Sequence, residues 1–197
     1  MPGFFSVETE EFVNCVPDRE KVWDYLSHSE KAQRMADGLR EIVEMAGSRN
    51  IADTPITVVI EDFDDRNSPI ACVSGMQWFA EQVPGLCFTF DTGNFIIHGE
   101  NIFAAWEELK DKVVHVHCKD RKISSDKPLQ TQKNATPDIK ECYLPAAVGE
   151  GCIPIKELVY KMKEYGYRGY LAIEHFDAAD QEAYMQKSAA NLQEYCS

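Results

Sequence analysis

Val113-Val114-His115-Val116-His117-Cys118-Lys119-Asp120 is the stretch from which the fold can be read. Its β-branched residues form a strand pattern, and at the C-terminal end that pattern runs straight into an imidazole, a cation and a carboxylate. Three other apolar runs stop in the same manner. Ile56-Thr57-Val58-Val59-Ile60 ends at Glu61, Leu86-Cys87-Phe88-Thr89-Phe90 at Asp91, and Tyr170-Leu171-Ala172-Ile173 at Glu174. Strand after strand delivers a cation-binding side chain at the same end.

Helical patterns separate these runs. From Asp18 to Arg49, Val22, Tyr25 and Leu26, then Met35, Leu39, Ile42 and Val43, recur at helical spacing among charged residues, with Ser27 or Ser29 placed to break the run in two. Ser68 followed by Pro69 predicts a helix over 69–82 that Pro84-Gly85 ends. Further helices are expected over 100–110, over 154–165 with Gly166 as its stop, and over 179–195. No hairpin signal such as Asn-Gly joins successive strands, so they are expected to run parallel with right-handed crossovers. Runs apolar on both faces suit a sheet covered by helices. The fold class is therefore α/β with a parallel sheet, in a single domain over residues 1–197. Residues 119–147, polar and carrying Pro128, Pro137 and Pro145, read as a long loop of the lid or binding kind. Pro2-Gly3-Phe4-Phe5 reads as the end of a strand.

A formal net charge of −13 excludes a phosphate-binding surface for nucleic acid and suits a small-molecule enzyme. Seven cysteines, with no C-x-x-C pair, point to a reducing, cytoplasmic compartment rather than a disulfide framework. There is no signal-peptide pattern and no apolar run of membrane-spanning length, so no membrane partner is expected.

Side chains alternate along a strand, so Val59 shares a face with Glu61, Thr89 with Asp91, His115 with His117, and Ala172 with Glu174. If that face points inward, Glu61, Asp91, His117 and Glu174 converge at the C-terminal ends of the strands, where barrels of this class carry their sites. Three carboxylates and an imidazole suit one divalent cation, Mn2+ or Mg2+ first, with Zn2+ or Co2+ admitted by the nitrogen. His115 is the alternative imidazole and otherwise a core residue. His175 is expected to point outward. Trp23, Trp78 and Trp106 are expected to pack, and Gly149-Glu150-Gly151 to form a turn before a helix.

The pieces Val-Ile-Glu61, Phe-Asp91-Thr-Gly-Asn94, His-Val-His117-Cys-Lys-Asp120, Gly149-Glu-Gly151 and Ala-Ile-Glu174-His resemble the xylose isomerase-like TIM-barrel superfamily of sugar phosphate isomerases and epimerases. The resemblance implies the C-terminal half of a (β/α) barrel, strands five to eight, with the cation held by Glu61, Asp91, His117 and Glu174. It implies isomerase or epimerase chemistry on a ketose or ketose phosphate through an enediolate, with Glu61 and Glu174 as the acid/base pair on opposite faces of the sugar. Asn94 stands where many members carry a substrate-contacting His. Lys119, Arg121 or the Gly149–Gly151 backbone are the candidates for a sugar phosphate. Alternatives are a sugar or inosose dehydratase of the same superfamily, or a half-barrel remnant without turnover. The superfamily's DNA endonucleases need further His ligands and fit an acidic chain poorly. Half a barrel exposes two parallel edges, so a homodimer or larger oligomer is expected.

Overall fold

The helical pattern from 18 to 49 resolves into two helices joined at one serine. In the computed structural model, which describes residues 10–16, 18–48, 50–51, 54–124 and 143–197, α1 (Glu10–Cys15) precedes α2 (Arg19–His28) and α3 (Glu30–Gly47). The Asp18 carboxylate accepts from the N–H groups of Glu20 and Lys21, and Ser29 both closes α2 and caps α3 by accepting from Ala32 N–H. The strand expected at 2–5, and residues 125–142 of the expected loop, lie outside the described residues.

The described chain falls into two compact units, one running to Phe90 with Asn94–Val114, the other comprising Asp91–Gly93 and His115–Ser197. In the first, the short β1 (Asn50–Ile51) and β2 (Thr54–Pro55) pair antiparallel. The next strand, β3 (Val59–Glu61), pairs in parallel with β4 (Cys87–Asp91), Glu61 standing opposite Thr89. Helix α4 begins at Val73 and ends at Gln82, four residues later than Pro69 would have it. The reason is the cap. Ser68 Oγ serves the local turn by accepting from Ile70 N–H, whereas the Val73 N–H donates to the carboxylate of Glu100, remote in sequence. Asn101 then caps α5 (Ile102–Leu109). Trp78 and Trp106 are fully buried, with Trp106 edge-on to Phe90. Their expected packing role holds.

In the second unit the His115–Cys118 part of β5 (Val113–Cys118) pairs in parallel with β8 (Tyr170–Ile173), His117 opposite Ala172. Part of the stretch expected to be loop is strand: β6 (Asp120–Ile123) and β7 (Tyr143–Ala146) pair antiparallel. The strands expected to run parallel do so, β3 with β4 and β5 with β8, and the correction is to the loop expected over 119–147. Backbone ladders need no apolar pattern, and the polar Asp-Arg-Lys of β6 concealed one. Helix α6 (Ile155–Tyr165) stops at Gly166, whose φ of 88° is the left-handed conformation expected of that glycine, and α7 (Gln181–Cys196) starts on an Asp180 cap. Helices α6 and α7 pack together, and α7 also contacts β8. Coverage of the strands is incomplete, since Tyr170 is 80% and Val114 42% exposed. Among the described residues no helix is long and apolar enough to cross a membrane, and six cysteines are free thiols.

Candidate metal centre

Parallel pairing brings the ends of β5 and β8 level, and the loop after β4 is sewn to the end of β5. Thr92 N–H donates to His117 O at 3.0 Å, Thr92 Oγ donates to Lys119 O at 2.9 Å, and the same hydroxyl accepts from Lys119 N–H at 2.9 Å. Glu174 N–H donates to Cys118 O at 3.2 Å. These bonds fix Asp91, His117 and Glu174 relative to one another, and each of the three offers a ligand atom within 4.8 Å of the others.

The carboxylates are heavily engaged. Asp91, fully buried, accepts from Gly93 N–H on Oδ1 at 2.7 Å and from Lys119 Nζ on Oδ2 at 3.1 Å. Glu174 accepts from Lys119 Nζ on Oε1 at 3.0 Å and faces His117 Nδ1 with Oε2 at 2.7 Å. Burial alone would push the Glu174 carboxyl up, but the His117 hydrogen bond and the Lys119 charge outweigh it and hold it at about 2. Lys119 is the mirror case. Burial pulls its ammonium down, Asp91 and Glu174 pull it up, and the carboxylates win. Two carboxylates that share a lysine ammonium, with a carboxylate-oriented imidazole, make a donor set that fits a hard or borderline divalent cation.

The remaining sequence-derived residues fall as follows. Glu61 belongs to the first unit, ending β3 half-buried. Asn94 is buried, and its amide donates to Asp62 O at 2.8 Å. Arg121 is buried too, with Nε donating to Gly93 O at 2.6 Å. The Gly149 and Gly151 N–H groups, candidates for a phosphate, both donate to Asp120 Oδ2, at 2.8 and 2.9 Å. The cradle holds the chain's own carboxylate. His115 lies edge-on to His117, ring centres 5.2 Å apart. His175 does not point outward: it is buried, with Nε2 2.9 Å from Ser188 Oγ. An isolated polar residue after a strand gives no sign of which later helix will cover it. The ion-pairing role of Lys119 was missed, although an amine two residues beyond the imidazole was its visible signal.

A family model described as xylose isomerase-like TIM barrel matches residues 7–195. Inosose dehydratase from Lacticaseibacillus casei is 27% identical over 86 residues, a stretch that covers 43% of this chain and 28% of the dehydratase. The xylose isomerase domain protein of Planctomyces limnophilus superposes with a TM-score of 0.64 at 18% identity, covering 96% of this chain and 68% of the other. D-psicose 3-epimerase from Clostridium cellulolyticum H10 does so at 0.56 and 16%, covering 90% and 56%. The match thus takes in under a third of the dehydratase and the superposition little more than half of the epimerase.

Proposed function

Because the chain belongs to the xylose isomerase-like TIM barrel family, we propose that it is the metal-holding part of an isomerase or epimerase acting on a ketose or ketose phosphate. The observation that carries this reading is the grouping of Asp91, His117 and Glu174 at strand ends. We assign Glu61 as the fourth donor. Its support is register, for it stands opposite Thr89, the residue that shares a strand face with Asp91.

A bound divalent cation would polarise the carbonyl and neighbouring hydroxyl of the sugar as a Lewis acid and acidify the C–H between them. Moving that proton falls to Glu61 and Glu174, one carboxylate removing it and the other returning it. With its carboxyl held at about 2, Glu174 is ionised at neutral pH and so able to accept a proton, but it is a weak base. Positioning must supply much of the rate, and the contact between His117 Nδ1 and Glu174 Oε2 is one means of it.

A second reading, elimination of water from a keto-polyol, is favoured by the identity to inosose dehydratase. It uses the same residues. Elemental analysis should find one divalent ion per chain, reduced in Glu174→Gln. Incubation in D2O with ketoses should then incorporate deuterium at the epimerised carbon, whereas an inosose should lose water if the second reading is correct. Absence of a stoichiometric ion sinks both readings. An ion without exchange or dehydration sinks the enzymatic claim. Glu174→Gln should lower kcat roughly 10²–10⁴-fold.

A further inference from the structure

We infer that Lys119 sets the affinity of this centre, its ammonium competing with the divalent cation for the oxygens of Asp91 and Glu174. The inference rests on reading the Asp91–His117–Glu174 cluster as a metal centre.

The geometry leaves the ammonium little choice of partner. Lys119 Nζ lies 3.1 Å from Asp91 Oδ2 and 3.0 Å from Glu174 Oε1, and 5.2 Å from the centre of the Phe176 ring. Its side chain is only 8% exposed, so withdrawing into water would require leaving a packed position. The stem is fixed at its root as well. Thr92 Oγ bonds both the N–H and the carbonyl of Lys119, and Gly93 packs so closely that a Cβ there would come within 2.9 Å of Lys119 Cγ. The other two oxygens are also engaged, Asp91 Oδ1 by Gly93 N–H and Glu174 Oε2 by His117 Nδ1.

A divalent ion using Asp91 and Glu174 therefore meets a fixed positive charge at hydrogen-bond distance from the same carboxylates, where little water intervenes to screen the repulsion. The amine also offsets the mutual repulsion of a buried and a half-buried carboxylate. It thereby exchanges tight metal binding for a site that holds together without the metal. Lys119 is in this sense a tethered rival to the metal, and its removal should tighten metal binding while weakening the metal-free fold.

The test is a Mn2+ titration of the full chain, read by the EPR signal of free Mn2+ and by calorimetry, on wild type, Lys119→Met, Lys119→Gln, Lys119→Arg and Glu174→Gln. Lys119→Met keeps most of the stem's volume and should bind Mn2+ about tenfold more tightly or better than wild type. Lys119→Arg keeps the charge and should stay near wild type. Melting of Lys119→Met should start lower without Mn2+ and rise more on its addition. If Lys119→Met is unfolded without metal, Mn2+-induced folding supports the inference, and Lys119→Gln supplies the affinity. Absence of Mn2+ binding in every protein would fail the metal-centre reading itself. Binding in wild type that is lost in Glu174→Gln, with Lys119→Met and Lys119→Gln no tighter than wild type, would keep that reading and overturn the role of Lys119.

Discussion

Asp120 gathers four main-chain N–H groups onto one carboxylate. Oδ1 accepts from Arg121 at 2.8 Å and Ile153 at 3.1 Å, and Oδ2 from Gly149 and Gly151. Gly151 is needed for proximity, since a Cβ there would lie 2.1 Å from Asp120 Oδ1. Asp120→Asn should therefore cost about 2–4 kcal/mol in denaturant unfolding, because an amide NH2 would face donors that need an acceptor. The sequence announces the turn through its paired glycines but not its occupant. Asp120 stands far upstream, and nothing local to 149–151 distinguishes an incoming phosphate from the chain's own carboxylate. His117 and Glu174 were legible for the opposite reason: a strand's period of two and its end fix where such a side chain projects.

Helix α4 shows the same division at the scale of an element. Its apolar pattern was plain, but its start was misplaced because the group meeting Val73 N–H comes from Glu100. Burial pushes that carboxyl up to about 7 from an ordinary 4.5, the Val73 bond pulling it down only in part. The folded-state value thus lies above the unfolded one, so this group's contribution to stability is full below about pH 4.5 and is lost as the pH rises through 7. Glu100→Gln keeps an acceptor for Val73 and removes the buried charge. Its melting temperature should match wild type near pH 5 and exceed it by several degrees at pH 8, a gain of about 2 kcal/mol. Within the same helix, a Cβ on Gly75 would sit 1.6 Å from Pro69 O. Gly75→Ala should accordingly destabilise by roughly 1–3 kcal/mol despite alanine's better helix propensity. The break at Ser27 or Ser29, which the structure puts at Ser29, and the stop at Gly166 were legible because their partners lie within one turn.

For the molecule as a whole, the order of helices and parallel strands was legible from periodicity, while exposure was not. Val59, Val114, Tyr170 and Phe176 are exposed apolar side chains on or next to the strands. We expect such surfaces to be covered by self-association, so light scattering across a dilution series should give a mass above that of one chain, and a monomer throughout would contradict this. Stripping divalent ions should lower the melting temperature and Mn2+ should restore it, by about 2.7 kcal/mol at a hundredfold excess over Kd. The β6–β7 ladder has a consequence of another kind. Ladder and Asp120 clamp together secure both ends of whatever joins Ile123 to Tyr143. A tether with anchored ends is interchangeable, because halving or doubling its length changes closure entropy by only about 0.6 kcal/mol. The ladder is in effect a socket: connections of different length can be exchanged in it at small cost while β6 and β7 stay paired.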